Sequence, residues 1–287
     1  MNRMANDRSA LEIYPGLATS DGAGVRLTRY IGSPQLDHLD PFLLLDFFQS
    51  NNPDDYIAGF PSHPHRGFET VTYLLAGRVR HKDNAGHAGV IESGGIQWMS
   101  AGRGIVHSEM PEQKEGRLEG FQLWVNLPAT KKMAAPRYQE FSSSEIPLES
   151  RVDRVEIRVI AGDTSFGTQG PVRDVSTRPI YLDIALPSGQ SFYEPVPTDY
   201  AAFIFVIDGP LRICGQTKKK DMLATARQLA TLGAGERVHL AAENSPARCL
   251  LICGQPLKEP IARYGPFVMN TREEVLKAAH DFESGNF

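Results

Sequence analysis

Short apolar runs separated by glycine-marked turns fill most of the chain. β-Branched and aromatic residues make up the run from Phe68 to His81, which Gly77 interrupts as a hairpin or bulge would. The spacing typical of a helix is absent until the end, where Thr271 and Glu274 fit a capping box. The pattern therefore predicts an all-β protein with one short C-terminal helix at about residues 272–283.

The two halves of the chain share a pattern of strands and turns, which indicates a duplication. The run YLLAGRV around Gly77 corresponds to FVIDGPL around Gly209, and QLWVNLP ending at Pro128 corresponds to LICGQPL around Pro256. The two correspondences have nearly the same offset along the chain. Because many short strands separated by glycine are typical of sandwiches and barrels, we expect two tandem antiparallel β-barrels.

The boundary between the halves is expected in the polar, loop-like segment 129–147. We therefore predict an N-terminal domain at residues 1–140. A C-terminal domain is predicted at residues 141–287, ending in the helix.

Composition and charge narrow the class of protein. The chain is 41% hydrophobic and 22% charged, as in soluble globular proteins. Its apolar runs are all shorter than the roughly 20 residues that span a bilayer, and the N-terminus lacks the apolar core of a secretory signal. The formal net charge is −4, and the basic run Lys218–Lys220 is interpreted as a solvated turn. We expect a cytoplasmic protein that binds neither membranes nor, directly, nucleic acid.

Three cysteines, Cys214, Cys249 and Cys253, lie in apolar surroundings in the second half. Their odd number and their spacing argue against a disulfide framework or a zinc knuckle. We expect reduced thiols in the core.

Two pairs of residues of metal-ligating types stand out in the first half. His63 and His65 form one pair, and His107 and Glu109 form the other. In a β-strand, residues i and i+2 project to the same face, so two such pairs on neighbouring strands would surround a common point. We predict a metal site with these four ligands, against the alternative of a hydrogen-bonded polar core. Pro64 predicts that the first pair lies at a strand start or a sheet edge.

The types of ligand limit which metals could bind but do not identify a single one. Imidazoles with one carboxylate suit Fe(II), Mn, Co, Ni, Cu or Zn. The absence of cysteine ligands argues against a structural zinc site and favours a catalytic or redox-responsive ion. The offset that relates Gly77 to Gly209 places Pro195 and Pro197 at the positions of His63 and His65, and His239 stands without a partner at ligand spacing. We therefore expect no equivalent site in the second half.

Other polar residues near these pairs are weaker candidates for a role at the metal site. Glu69 would share a face with His65 on a continuous strand, where it could be an alternative ligand, a hydrogen-bond partner of a ligand imidazole or simply a strand carboxylate. We favour the hydrogen-bond partner because Glu109 already completes the set of four. The histidines expected to be exposed and without a site role are His38, His81, His87 and His280. The residues that are candidates for either a pocket or a structural role are Arg66, Gln97, Trp98 and Arg103.

The stretches HPHRGFETVTYLLAG, IQWMSAGRGIVHSEM and GFQLWVNLP resemble the N-terminal domain of the pirin family, within the cupin superfamily, and the ending YGPFVMNT followed by a helix resembles the family's C-terminal tail. The resemblance covers most of the chain and is strongest from about Gly59 to Pro128. It implies a bicupin of two double-stranded β-helix barrels with an iron-type centre, Fe(II), in the first barrel and no metal in the second. Its implied ligands are His63, His65, His107 and Glu109.

The resemblance also implies two functions. Several pirins are described as quercetin 2,3-dioxygenases, which open the flavonol ring with O2 and release carbon monoxide. An oxidoreductase of this kind would use Glu109, or failing that Glu69, as the base that accepts the substrate's hydroxyl proton. Other pirins are described as regulators that bind transcription factors or metabolic enzymes, so a redox- or metal-responsive regulator is the alternative. A non-catalytic barrel that binds a carbohydrate or another small ligand is a third interpretation.

Overall fold

The computed structural model of the protein describes residues 6–287. In chain order, its strands are β1 (Ala10–Tyr14), β2 (Leu17–Asp21), β3 (Val25–Ile31), β4 (Phe42–Ser50), β5 (Phe60–His65), β6 (Phe68–Ala76), β7 (Arg78–Asp83), β8 (Ala88–Glu92), β9 (Ile96–Ser100), β10 (Ile105–Pro111), β11 (Leu118–Asn126), β12 (Arg137–Phe141), β13 (Leu148–Ser150), β14 (Glu156–Ala161), β15 (Ile180–Leu186), β16 (Gln190–Pro195), β17 (Ala201–Asp208), β18 (Leu211–Ile213), β19 (Met222–Ala224), β20 (Gln228–Leu232), β21 (Arg237–Ala242), β22 (Ala247–Gly254), β23 (Ala262–Tyr264) and β24 (Phe267–Met269). Short 3₁₀ turns lie at Pro53–Asp55, Ala129–Lys131 and Lys218–Lys220. Over the described range, the one α-helix is α1 (Arg272–Glu283), which confirms the predicted all-β class with a short C-terminal helix.

The chain forms two compact units. The first unit consists of Leu17–Ser144 and Leu257–Phe287, and the second consists of Glu145–Pro256 and the described residues up to Gly16. This division differs from the predicted domains at both chain ends. The reason is strand pairing and packing: β1 pairs with β20 at the edge of a sheet in the second unit, and α1 packs against β23 and β24 in the first.

The first unit contains two main antiparallel sheets. The large sheet has the strand order β12-β9-β6-β11-β4-β3-β2, and the small sheet has the order β5-β10-β7-β8. Strand β12 occupies part of the segment predicted as a linker, and that prediction is wrong there because Arg137–Phe141 pairs with β9. Apolar side chains from both sheets, among them Phe48, Leu74, Val79 and Ile91, form a shared core.

The second unit repeats this arrangement. Its large sheet has the order β1-β20-β17-β22-β15-β14-β13, and its small sheet has the order β16-β21-β18-β19. Gly77 and Gly209 end the corresponding strands β6 and β17, with φ of 93° and 73°, a region where glycine avoids the strain of a Cβ. Between the sheets of the second unit lies one apolar cluster that includes Phe192, Ile204 and Leu240.

The C-terminal helix begins as the sequence predicts. The Thr271 hydroxyl accepts a hydrogen bond from the Glu274 backbone N–H at 3.2 Å, and the Glu274 carboxylate accepts one from the Thr271 N–H at 2.9 Å. Val275 and Ala278 form its buried face. Over residues 6–287, no helix has the length and apolar character to cross a membrane. The three cysteines are buried and free, as predicted.

Candidate metal centre

Three imidazoles meet where β5 pairs with β10. The antiparallel register places His107 opposite His63 and Ile105 opposite His65. One nitrogen from each of His63, His65 and His107 lies within 4.8 Å of the others. Strand β5 is at the edge of its sheet, as the intervening proline predicts, because Pro64 has no N–H to give to a neighbouring strand. The structure thus brings together three of the four predicted ligands in an arrangement that could hold a metal ion.

Glu109 stands beside this cluster without being part of it. The register shifts between His107 and Glu109, which lies opposite Phe60. The Glu109 carboxylate is buried and lines the same cavity as His63 and His65. Thr72 Oγ1 donates to its Oε1 at 2.7 Å, and Gln122 Nε2 donates to its Oε2 at 2.8 Å. Its role as the fourth ligand stays a prediction.

Burial keeps two of the imidazoles neutral. Burial, followed by the nearby His107 and His63, holds the pKa of His65 well below its usual 6.5. The pKa of His107 falls to about 4, mainly through burial, although Glu109 opposes the shift. Neutral imidazoles are the form that binds a metal ion.

The hydrogen bonds of the imidazoles leave nitrogens available. His63 Nδ1 donates to the Pro61 carbonyl at 2.8 Å, which leaves Nε2 with its lone pair. Nδ1 of His65 and both ring nitrogens of His107 are buried without a hydrogen-bond partner. A buried polar atom without a partner costs on the order of 1–3 kcal/mol. These residues therefore fit a bound metal ion, which would take one nitrogen from each ring.

A cavity of about 540 Å³ opens beside the imidazoles. Its lining includes His63, His65 and Glu109, and its apolar and aromatic wall is formed by Leu27, Leu44, Phe48, Phe60 and Trp124. Asp21, Asp46 and Arg263 contribute charged groups. A mainly apolar cavity of this size with a few polar groups is typical of a small-molecule site.

Glu69 lies elsewhere. Gly67 turns the chain, with φ of 88°, so that His65 and Phe68 belong to strands of different sheets. On β6, Thr72 points toward Glu109, so Glu69 projects from the opposite face of the sheet. Burial raises its pKa to about 7, against the opposing effects of Trp98, Arg137 and Ser100. The expectation that Glu69 shares a face with His65 is therefore wrong, because it assumed a continuous strand.

The other pocket candidates do not line the cavity. Arg66 donates to the Arg103 carbonyl at 2.5 Å and pairs with Asp281 at 2.7 Å, which ties the end of β5 to α1. Trp98 lies on the same face of the large sheet as Glu69. Gln97 lies on the Thr72 face and donates to Glu140 at 2.8 Å.

The prediction for His81 is also wrong. It was expected to be exposed in a loop, but β7 continues to Asp83 and His81 is 4% exposed. Its Nε2 lies 2.6 Å from Glu140 Oε2. His87 is exposed as predicted, and its ring pairs with Asp83 at 2.9 Å.

Sequence reasoning missed four residues at the site, namely Thr72, Gln122, Trp124 and Arg263. Thr72 and Gln122 are polar residues in the middle of strands rich in apolar residues, and that irregularity is a signal that could have found them. Arg263 has no such signal, because it reaches the cavity from a hairpin far along the chain.

Two family-level sequence profiles match the chain. The pirin profile matches residues 24–125, and the profile of the pirin C-terminal cupin domain matches residues 181–287. The chain belongs to the pirin family. The bicupin fold implied by the sequence resemblance is thereby confirmed.

Relatives extend over nearly the whole of this pirin-family chain. A pirin-like protein of Caulobacter vibrioides is 52% identical over 280 residues, which cover 98% of this chain and 99% of the relative. A Pseudomonas aeruginosa protein with the provisional name quercetin 2,3-dioxygenase is 47% identical over 285 residues, with 98% and 99% coverage.

Solved structures show the same fold. The crystal structure of quercetin 2,3-dioxygenase from Acinetobacter baumannii superposes with a TM-score of 0.87 at 34% identity and covers 98% of each chain. The Escherichia coli pirin YhhW, solved in complex with nickel(II), has a TM-score of 0.63 at 20% identity and covers 85% of this chain and 99% of its own. At that identity the second likeness concerns the fold alone.

Proposed function

We propose that this pirin-family protein is a metal-dependent dioxygenase of the quercetin 2,3-dioxygenase type. Such an oxidoreductase opens the ring of a flavonol with O2 and releases carbon monoxide. The observation that carries the proposal is the group of three imidazoles, two of them buried with unpartnered nitrogens, beside an open cavity with an aromatic wall. The names of the Pseudomonas and Acinetobacter relatives support the choice of reaction.

His63, His65 and His107 would hold the metal ion, with Glu109 as the fourth ligand. The donor set suits Fe(II), Mn, Co, Ni, Cu or Zn, and we propose Fe(II). When bound, such an ion acts as a Lewis acid and orients the substrate.

The residues of the chain would supply the proton acceptor and the walls that enclose the substrate. Glu109 would accept the proton of the flavonol 3-hydroxyl at a carboxylate oxygen. Thr72 and Gln122 would fix the position of that carboxylate through the two hydrogen bonds that they donate to it. Phe60 and Trp124 would pack against the flat rings of the substrate and exclude water.

Elemental analysis joined to an activity assay tests the proposal. Protein purified without a metal-binding tag is expected to contain about one metal ion per chain and to consume quercetin only when both metal and O2 are present, with release of carbon monoxide. His63→Ala and His107→Ala are expected to lose the metal and the activity together, because each removes a ligand.

His239→Ala is the matched control. His239 lies on β21 at the position that the duplication relates to His107, and it faces no metal cluster among the described residues. Equal metal content in all four proteins would overturn the metal site. Metal-loaded protein that leaves quercetin intact would overturn the substrate and favour the regulatory alternative, in which the metal controls binding of a protein partner.

A further inference from the structure

Arg263 places a cation on the wall of the cavity. It belongs to β23, and together with Gly265 and Pro266 of the same hairpin it lines the cavity beside the imidazoles. Its guanidinium carbon lies 4.9 Å from the centre of the Trp124 ring, and that ring lies 5.3 Å from the His65 ring. The indole of Trp124 thus lies close to both the guanidinium and the imidazole of His65. Arg263, Trp124 and His65 all border the same cavity.

The guanidinium has no acceptor within the described residues 6–287. Asp21 and Asp46 also line the cavity, but Arg29 engages both of them. Arg29 donates to the two oxygens of Asp46 at 2.8 and 2.6 Å, and the Asp21 oxygens accept from Arg29 and from the Gly22 backbone. The carboxylates of this wall are thus already hydrogen-bonded, whereas the N–H groups of Arg263 remain available to a ligand.

The hairpin that carries Arg263 is anchored to the chain at the end of β5. The Val268 N–H donates to the Arg66 carbonyl at 3.0 Å, and Lys132 Nζ donates to the Val268 carbonyl at 3.0 Å. Val268 is fully buried and packs with Leu43 and Phe68. These contacts fix the backbone of the hairpin next to His65, so the cation is held near the cavity before a ligand binds.

We propose that Arg263 determines substrate specificity by binding an anionic group at the end of the substrate remote from its metal-binding hydroxyl. This inference rests on the proposed function and narrows its substrate class to planar aromatic molecules that carry a phenolate, carboxylate or sulfonate. The physical reason is that a guanidinium presents a flat fork of N–H donors that matches an oxyanion and, at the same time, stacks on an aromatic face. The guanidinium carbon of Arg263 lies over the Trp124 ring, and Trp124 itself lines the cavity.

Anaerobic binding measurements on the metal-loaded protein test this inference apart from turnover. The probes are quercetin and quercetin 5′-sulfonate, which differ by one anionic group. The wild-type protein is expected to bind the sulfonate more tightly, and Arg263→Gln is expected to weaken sulfonate binding about tenfold while changing quercetin binding less than about threefold. Because Arg263 is exposed, the preference is expected to shrink between about 0.05 M and about 0.5 M salt.

Arg272→Gln is the matched control, since it removes an exposed arginine at the start of α1 that does not line the cavity. An Arg263→Gln effect that is equal for both flavonols, or equal to that of Arg272→Gln, would overturn the inference. If neither flavonol binds the wild-type protein, the proposed function fails, and a second pair of probes, 2-naphthoate and 2-naphthamide, decides the inference. A preference for the naphthoate that Arg263→Gln abolishes supports the anion site, and equal affinities refute it.

Discussion

Among residues 6–287, two neutral donors and no cation hold Glu109. Thr72 and Gln122 each donate to one of its oxygens, so the carboxylate is positioned while its negative charge is left for a metal ion or a proton. An arginine in their place would lower the basicity of the carboxylate through its full positive charge. This arrangement is compatible with the proposed role of Glu109 as a proton acceptor.

Removing the Thr72 hydroxyl is expected to impair the reaction without preventing folding. Thr72→Val keeps the shape of the side chain but deletes the donor to Glu109 Oε1, so kcat/KM for quercetin at saturating metal is expected to fall about tenfold, or about 1.4 kcal/mol. Thr70→Val, two residues earlier on the same face, is the control. Equal kcat/KM for the two variants would show that the hydrogen bond has no part in the activity.

The buried imidazoles give the metal-free protein a predictable response to acid. The pKa of His107 lies at about 4 and that of His65 well below 6.5, so in the fold both stay neutral while the unfolded chain takes up protons. Stability from these groups is therefore complete above about pH 6.5 and is lost as the pH falls toward 4, by about 3 kcal/mol for His107 alone. Glu69 acts in the opposite direction, because its raised pKa of about 7 favours the fold below about pH 4.5 and that contribution is lost as the pH rises through 7.

Glu69→Gln separates the two effects. Without the titrating carboxyl group, the metal-free variant is expected to lose stability more steeply than the wild type between about pH 7 and about pH 4.5. Chemical denaturation across that range measures the slope, and Glu92→Gln, at an exposed position, serves as the control. Identical slopes for Glu69→Gln and the wild type would contradict the assignment.

At the scale of the elements, the turn between β5 and β6 joins the two sheets of the first unit. A Cβ added at Gly67 would lie 1.9 Å from the Val268 carbonyl oxygen, so the anchored hairpin leaves no room for a side chain there. The same residue has φ of 88°, which side chains disfavour. The close approach of the β23–β24 hairpin to the end of β5 therefore depends on this glycine.

Gly67→Ala is expected to destabilise the protein by about 3 kcal/mol, because a steric clash adds to the backbone strain. Gly86→Ala measures the backbone strain alone, because Gly86 has φ of 95° but no atom within 4 Å of an added Cβ. This variant is expected to lose about 1 kcal/mol of stability. The free energy of unfolding of each variant, measured in denaturant, provides the comparison. Equal losses would mean that the hairpin yields to the methyl group at little cost.

A row of polar side chains crosses the large sheet of the first unit. Thr72 lies opposite Gln122 on one side and Gln97 on the other, and Gln97 lies opposite Glu140. Glu109 reaches this row from the small sheet through Thr72 and Gln122. The polar row therefore satisfies a carboxylate that would otherwise be costly to bury.

At the scale of the whole molecule, the second unit has the same arrangement of strands but has apolar residues in place of the polar row. The offset between Gly77 and Gly209 also relates Thr72 to Ile204, and Ile204 lies opposite Leu251 and Ala230 in the ladder. These three apolar residues belong to the cluster between the sheets of the second unit. The same arrangement of strands forms around an apolar interior, so the imidazoles and polar row of the first unit are not needed to form it.

The sequence by itself determined the class of fold, the duplication, the C-terminal helix and the spacing of the imidazoles, because each depends on a local period of strand or helix. It could not determine which face each neighbouring residue occupies. The turn at Gly67 sends Glu69 to the opposite face of another sheet, and the length of β7 buries His81 beside Glu140.

Only the tertiary structure decided the surroundings of the imidazoles. Thr72 and Gln122 meet Glu109 through the ladders of β6 and β11 and the packing of the two sheets, and Arg263 reaches the same cavity from a hairpin near the C-terminus. Strand β12 joins the large sheet although its own sequence reads as polar loop. Such contacts follow from the long-range register of strands, which no local pattern encodes.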